Sequence, residues 1–276
     1  MTLDLHCHST ASDGAFDPAE VVARAAAAGV TTLALTDHDT LEGLAEADAA
    51  ARDHGIVLAP GTELSVRGPS GSLHLLVYLP SLAPEPLASR MRQIGEHRSS
   101  RNQRIVERLA ELGYPVRWED VAAKARGRVG RPHIAAALVD AGYVETVQQA
   151  FDELLSDTGP AYLEAGSFGP AEAVALARES GCAPVLAHPY TLRLEAGELD
   201  AFVGELAALG LLGLECFRAD HDEPTRAANL AICERYGLVP TGGSDFHGTR
   251  DDRIGDVGAV PVPEGTLAEL MHRATS

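Results

Sequence analysis

The chain has 276 residues, of which 45% are hydrophobic, so it is long enough for one large domain or for a core domain that carries an insertion. Its formal net charge of -18 excludes a protein whose whole surface binds nucleic acid, because phosphate binding requires a basic footprint. No apolar run approaches the roughly 20 residues of a membrane span, and no signal segment opens the chain, so we expect a cytoplasmic protein without membrane contact.

Seven short apolar runs are typical of buried β-strands, and most of them are separated by helix-like segments. The runs are residues 3–8, 31–39, 56–65, 73–79, 183–189, 211–217 and 238–247. The helix-like segments 18–29, 41–55 and 223–237 each end on a glycine. Because strands alternate with helices, we expect parallel strands joined by helical crossovers.

The alternation breaks after residue 79. Residues 84–165 are predicted to form a helical insertion between two segments of the core domain, residues 1–83 and 166–276. Between Arg90 and Arg131 lie 11 of the 22 basic residues but only five acidic ones, so this stretch carries +6 and the remainder -24. The basic excess predicts a cap that binds an anionic substrate, and a solvated arginine-rich surface is the plainer alternative.

Two histidines alternate with apolar residues in the first predicted strand, LDLHCH. In a strand, His6 and His8 project to one face while Leu5 and Cys7 face the other way. Two adjacent imidazoles make a poor core and a good metal chelate. The four cysteines show no Cys-x-x-Cys spacing, so we expect reduced thiols and no thiolate metal site.

Residues with metal-binding side chains recur at or near the carboxyl ends of separate predicted strands. They are His6, His8, Asp37, His38, Glu63, His188, Glu215, Asp245 and His247. Such ends meet at one rim of a (β/α) barrel, so seven strands predict a barrel one unit short of the eight-stranded form. Histidine and carboxylate donors favour Zn, Mn or Fe in a hydrolytic site. About eight such groups exceed what one ion needs, which indicates a multi-metal site that clamps a phosphoryl group.

The segments HCHSTASDG, TDHDT, GTELS, LHLL, AHP and GGSDFH occur in the order and approximate spacing of the PHP family, named for polymerase and histidinol phosphatase. The chain resembles this family from Leu3 to about Arg250. The resemblance implies an α/β fold, a distorted (β/α)7 TIM-like barrel (the PHP fold) whose active site is capped by the helical insertion. It also implies a metal-dependent phosphoesterase with a trinuclear metal centre. Manganese is the favoured metal, with Zn and Fe as alternatives.

The resemblance further implies which residues hold the ions. His6, His8, Glu63 and Asp245 would bind the first ion, Glu63 would bridge to a second ion held by His74 and His188, and Asp13, His38 and His247 would bind the third. Two of these residues have a plainer interpretation when taken alone. His74 alternates within an apolar strand like a core histidine, and Asp13 before Gly14 fits an Asx turn.

The insertion contains GRVGRPHIAAALVDAG, in which Arg131 and His133 flank a proline that begins a helix. Helix N-termini and arginine side chains both favour phosphate. The motif resembles the cap of a PHP subgroup that removes the 3'-phosphate from nucleoside 3',5'-bisphosphates. Some members of that subgroup shorten 5'-phosphorylated RNA from its 5' end. The substrate-binding residues implied by this resemblance, or by position beside it, are Arg126, Arg128, Arg131, His133, Arg193 and His221.

The implied reaction gives a nucleoside 5'-monophosphate and phosphate. A water between two ions becomes a hydroxide and attacks phosphorus in line. Arg193 would stabilise charge on the nonbridging oxygens, and His188 or His221 would protonate the leaving 3'-oxygen. A surface position for Arg193 and a salt bridge from insertion to barrel for Arg131 are the plainer alternatives.

Two other functions remain open at this point. One is a histidinol-phosphate-type monophosphatase, which is weakened because Asp13 stands where some such enzymes have a histidine. The other is a non-catalytic PHP accessory module, against which the complete ligand set argues. The expected partner is a small phosphorylated nucleotide or short RNA and not duplex nucleic acid. The sequence indicates no oligomeric interface.

Overall fold

The structure is a computed structural model that describes residues 2–69, 71–125, 129–156, 158–163, 168–248 and 256–276, without the side chains of residues 72, 98 and 99. The chain divides into two compact units. The barrel unit comprises Met1–Met91 and Ser167–Ser276, and the insertion unit comprises Arg92–Gly166.

The barrel unit is built on a sheet of seven strands that lie in sequence order. They are β1 (Leu3–Asp4), β2 (Thr32–Leu35), β3 (Val57–Gly68), β4 (Gly71–Tyr78), β5 (Ala183–Leu186), β6 (Gly213–Phe217) and β7 (Val239–Gly242). Beyond β1 and β7 the chain continues as a parallel bridge between Cys7 and Phe246, with the His8 amide donating to the Phe246 carbonyl at 2.8 Å. The first and last segments therefore nearly close the barrel. The predicted distorted seven-stranded α/β barrel is confirmed.

Strand β4 runs antiparallel to both β3 and β5. The expectation of parallel strands therefore does not hold at β4. Only residues 69 and 70 separate β3 from β4, whereas a parallel crossover needs a dozen or more residues. Because β4 is reversed, its first half, where His74 pairs with Ser65, lies at the rim where the parallel strands end.

The helices follow the strands in the expected alternation. In chain order they are α1 (Pro18–Ala27), α2 (Leu44–His54), α3 (Leu87–Glu111), α4 (Trp118–Ala122), α5 (Arg131–Asp140), α6 (Val147–Ala150), α7 (Pro170–Glu179), α8 (Ala196–Ala208), α9 (Glu223–Tyr236) and α10 (Thr266–Ala274). A π-helical turn spans Phe151–Leu155 and a 3-10 turn spans Pro189–Leu192. In the part of the chain described, no helix combines the length and apolar character needed to cross a bilayer.

Each unit has its own hydrophobic core. Residues of β2 and β5 are buried along their whole length, as expected for parallel strands covered on both faces. The barrel core includes Leu5, Leu76 and Tyr78, and the Tyr78 hydroxyl donates to the Leu5 carbonyl at 2.9 Å. The insertion core gathers Ile105 with Leu138 and other apolar residues of α3 to α6. The insertion unit thus buries apolar surface independently of the barrel.

Candidate metal centre

The barrel rim brings together all nine side chains that were predicted from the sequence to bind metal. They are His6, His8, Asp13, His38, Glu63, His74, His188, Asp245 and His247. Asp37 fixes the loop after His8, because its carboxylate accepts hydrogen bonds from the Ser9 amide at 2.8 Å and from the Ser12 hydroxyl at 2.5 Å. This loop carries Asp13 towards the other ligands.

Glycine is required where β7 ends. A Cβ atom on Gly243 would lie 2.5 Å from the backbone nitrogen of His6. The absence of a side chain lets the end of β7 approach β1, and the Asp245 amide donates to the His6 carbonyl at 2.8 Å. Asp245 itself has a φ of 56°, a left-handed conformation that residues other than glycine adopt at a cost. The GGSDFH motif therefore places the Asp245 carboxylate beside His6.

One group of four donor atoms converges at the centre of the rim. The Nε2 atoms of His6 and His8 lie 3.1 Å apart, and each lies within 3.4 Å of Glu63 Oε2 and Asp245 Oδ1. Ligands bonded to one tetrahedral ion at about 2.0–2.1 Å are separated by roughly 3.3–3.4 Å. The four atoms are therefore spaced as ligands of a single ion would be.

Glu63 faces histidines with both of its carboxylate oxygens. Its Oε2 atom belongs to the group just described, while its Oε1 atom lies 2.9 Å from His74 Nδ1 and 2.9 Å from His188 Nε2. The two nitrogens are 3.3 Å apart. Glu63 is fully buried, and its two oxygens point to two separate sets of donors. This is the arrangement required of a bridging carboxylate.

A third group forms around the half-exposed carboxylate of Asp13. His247 Nε2 lies 3.3 Å from Asp13 Oδ1, and His38 Nε2 lies 3.8 Å from Asp13 Oδ2. His8 also borders this group, since its Nδ1 is 3.7 Å from Asp13. The spacing is looser than in the first group.

The chemistry of the donors fits metal ions. Within the described residues, the buried Nδ1 atoms of His8 and His38 have no hydrogen-bond partner. Buried polar atoms of this kind are normally satisfied. His8 Nδ1 faces Asp13 Oδ1 at 3.7 Å and His38 Nδ1 faces Glu63 Oε2 at 3.3 Å, so an ion bound between either pair would satisfy the nitrogen. Burial lowers the pKa of His38 to about 4, so that this imidazole is neutral and able to ligate.

The carboxylates of the centre are ionised. Burial opposes their charge, but the neighbouring histidines outweigh it and hold the pKa of Glu63 and the pKa of Asp245 well below their usual range. The same contacts act on His8: burial disfavours its protonation, yet Asp245 and Glu63 raise its pKa to about 10. Protonated His8 therefore balances part of the negative charge of these carboxylates.

Glu215 and Arg218 form a layer of support behind the ligands. Glu215, fully buried, lies 3.0 Å from His6 Nδ1 and accepts from the His188 amide at 2.7 Å. It thereby directs His6 Nε2 towards the first donor group, as outer carboxylates commonly do for metal-bound histidines. Burial opposes ionisation, but Arg218 and His6 lower the pKa of Glu215 to about 2. From the sequence, Glu215 was placed at the rim without a role and Arg218 was not identified, although the ECFR segment puts Glu215 in β6 and Arg218 directly after it.

The predicted substrate residues lie in both units. In the barrel unit, Arg193 is exposed after the 3-10 turn, and His221 is buried with its Nδ1 3.0 Å from the Cys216 carbonyl oxygen. In the insertion unit, Arg131 Nη1 donates to the Leu155 carbonyl at 2.9 Å. His133 Nδ1 accepts from the Gly130 amide at 2.9 Å, which makes it a helix-capping residue.

Arg126 and Arg128 lie outside the described residues. Binding of substrate by any of these side chains stays a prediction, because the hydrogen bonds of Arg131 to Leu155 and of His133 to Gly130 join residues of the insertion unit.

Known proteins resemble the chain over most of its length. The PHP domain model matches residues 4–164. A 5'-3' exoribonuclease of Haemophilus influenzae is 32% identical over 244 residues, which cover 88% of this chain and 89% of that protein. A 3',5'-nucleoside bisphosphate phosphatase of Chromobacterium violaceum is 33% identical over 251 residues, covering 89% and 87%. A solved structure from Bifidobacterium adolescentis, described as a metal-dependent phosphoesterase, superimposes with a TM-score of 0.80 at 34% identity, covering 98% and 96%.

The barrel, its clustered donors and these relatives define a metal-dependent phosphoric ester hydrolase. The chain belongs to the PHP family.

Proposed function

We propose that the protein hydrolyses the 3'-phosphate of nucleoside 3',5'-bisphosphates and also accepts short 5'-phosphorylated oligoribonucleotides. The observation that carries the proposal is the position of Glu63, whose two oxygens face two sets of donors. Paired ions held in this way suit the displacement of an oxygen at phosphorus. The choice of substrate draws on the relatives named as a bisphosphate phosphatase and as a 5'-3' exoribonuclease.

Three divalent ions fit the donor groups, with Mn as the favoured metal. His6, His8, Glu63 and Asp245 would hold the first, Glu63 with His74 and His188 the second, and Asp13, His38 and His247 the third. When bound, such ions polarise the phosphoryl group and lower the pKa of water. The buried and ionised carboxylates of Glu63 and Asp245 would hold the ions in fixed positions.

His221 is better placed than His188 to protonate the leaving oxygen. Both ring nitrogens of His188 have partners, since Nε2 faces Glu63 and Nδ1 lies 3.1 Å from the Thr191 hydroxyl. The Nε2 atom of His221 has no hydrogen-bond partner among the described residues, and its Nδ1 is held by a carbonyl oxygen. When both of its ring nitrogens carry a proton, His221 can donate the Nε2 proton to the leaving 3'-oxygen and keep its Nδ1 hydrogen bond. Arg193 is exposed and directly follows the 3-10 turn Pro189–Leu192, and we propose that it binds nonbridging phosphate oxygens.

The insertion is proposed to bind the phosphate that is not cleaved. The support is chemical: the stretch from Arg90 to Arg131 carries half of the chain's basic residues in an otherwise acidic protein. Arg131 and His133 stand at the start of α5, and Arg128 precedes them in the sequence. A remote phosphate contact would supply binding energy that orients the reacting phosphate.

Phosphate release from adenosine 3',5'-bisphosphate tests the proposal, after metal is removed and Mn returned. We expect turnover to depend on the added metal and to exceed turnover of histidinol phosphate. Faster turnover of histidinol phosphate would favour the monophosphatase alternative. Absence of activity with every divalent metal tested, together with well under one bound ion per chain, would favour a non-catalytic module.

A further inference from the structure

Tyr190 is a large side chain that the proposed reaction leaves unused. It lies in the 3-10 turn Pro189–Leu192, two residues after His188, and is 50% exposed. Single exposed apolar side chains are common on protein surfaces, so exposure alone carries no argument. What distinguishes Tyr190 is its position and the way in which its ring is held.

The ring of Tyr190 adjoins the buried guanidinium of Arg218, whose central carbon lies 5.7 Å from the ring centroid. Arg218 donates to both oxygens of Asp220, at 2.9 Å from Nε and 3.2 Å from Nη2. It also donates to Asp245 of the candidate metal centre at 3.3 Å. A cation that two carboxylates hold in place therefore lies against the exposed aromatic ring.

The ring of Tyr190 also packs against two histidines of the site. Its centroid is 6.4 Å from that of His188 and 5.8 Å from that of His221, with interplanar angles of 66° and 86°. These perpendicular contacts hold the ring in place while half of the side chain remains exposed. A planar ligand that stacks on it would therefore lose little conformational entropy from the protein side.

A second observation points to a ligand at this place. His221, which the Tyr190 ring contacts, is 7% exposed, and its Nε2 has no hydrogen-bond partner in the described part of the chain. A buried and unpartnered ring nitrogen needs a polar atom from outside the protein. An aromatic surface and an unsatisfied polar atom thus adjoin each other beside the metal centre.

We propose that Tyr190 is the stacking surface for the nucleobase of the substrate. The inference rests on the proposed nucleotide substrate. Every base offers a π-face, so a tyrosine ring provides affinity for nucleotides with little preference among bases. Placed against His188 and His221, the ring would bind the base while the attached sugar phosphate reaches the metal centre.

Replacement of Tyr190 by leucine and by phenylalanine tests the inference. The substrates are adenosine 3',5'-bisphosphate and the abasic ribose 3,5-bisphosphate. We expect Tyr190→Leu to reduce the ratio of kcat/KM for the adenosine compound over the abasic one by roughly fivefold to a hundredfold, the range for loss of base stacking, chiefly through KM. Tyr190→Phe keeps the ring and should retain most of the ratio. An equal loss on both substrates, or equal effects of the two substitutions, would show that the ring does not bind the base and would overturn the stacking role.

A binding measurement separates this inference from the proposed function. Calorimetric titration of the wild-type protein and of Tyr190→Leu with adenosine 5'-monophosphate and with ribose 5-phosphate needs no turnover. Selective weakening of the adenosine compound supports the stacking surface even if the bisphosphate is not hydrolysed. Equal binding by both proteins overturns it, whatever the activity. Tyr143→Leu, at a 37% exposed tyrosine of the insertion unit, is the matched control.

Discussion

The two carboxylate oxygens of Asp245 face different groups: one contacts Arg218 and the other faces His6 of the candidate metal centre. The Nη2 atom of Arg218 lies 3.3 Å from Asp245 Oδ2, while Asp245 Oδ1 lies 3.2 Å from His6 Nε2. Arg218 is 7% exposed, and its guanidinium also contacts Glu215 at 3.2 Å. One buried cation therefore holds two carboxylates that face the ligand histidines, and it fixes which oxygen of each is turned towards them.

Removal of Arg218 should damage both stability and metal binding. Arg218→Met leaves buried carboxylates without their cation, and loss of one partner of a buried pair costs about 3–5 kcal/mol. We expect the free energy of unfolding in urea to fall by this amount, and the metal affinity to fall by about tenfold to a hundredfold because the ligands lose their orientation.

Arg226→Met is the matched control. Arg226 pairs with Glu223 at 3.2 Å on the more exposed side of α9, where such pairs contribute about 0–1 kcal/mol. If Arg218→Met were as stable as this control and bound metal normally, Arg218 would have no positioning role.

Metal binding should release protons at neutral pH. Burial disfavours a charged His8, but Asp245 and Glu63 raise its pKa to about 10, so the metal-free protein keeps this imidazole protonated at pH 7. A metal ligand must be neutral, so each such proton leaves when the ion binds. Calorimetric titration with Mn in two buffers of different ionisation enthalpy should give different apparent enthalpies. Identical enthalpies would contradict the prediction.

The stability of the metal-free protein should fall as the pH rises, because His8 loses its proton. The pKa of His8 is higher in the folded state than in the unfolded chain, where it is about 6.5. Its contribution is therefore complete below about pH 6.5 and is lost as the pH rises towards 10. We expect the urea midpoint of the metal-free protein to be lower at pH 9 than at pH 6. Saturation with metal should reduce this difference, because bound ions replace the protons.

The strands and the candidate ligands could be located from the sequence, whereas the residues that support them could not. The seven strands could be predicted because short apolar runs alternate with helical segments. The direction of β4 was missed, although a two-residue connection between β3 and β4 leaves no room for a crossover. Arg218 was missed because its importance comes from three carboxylates that only the folded chain brings together. Tyr190 likewise resembles any loop tyrosine until the rings around it are known.

Substitution of Arg131 tests whether the enzyme requires a second phosphate on its substrate or is a general phosphatase. In the structure its guanidinium donates to the Leu155 carbonyl and lies 5.9 Å and 5.8 Å from the ring centroids of Phe151 and Tyr162. These contacts give Arg131 a structural role in the insertion unit, so a loss of activity alone would not show phosphate binding. The comparison between substrates with one and two phosphates decides the question.

If Arg131 binds the phosphate that is not cleaved, Arg131→Ala should reduce kcat/KM for adenosine 3',5'-bisphosphate by roughly tenfold to a hundredfold, because a charged hydrogen-bond partner is lost. Turnover of adenosine 3'-monophosphate should fall much less, since that substrate lacks the second phosphate. Arg117→Ala, at an exposed arginine of the same unit whose Nε lies 3.4 Å from Glu119, should affect neither substrate. Urea unfolding of both variants measures the structural cost. An equal loss on both substrates, accompanied by lower stability, would make Arg131 a packing residue while leaving the metal centre intact.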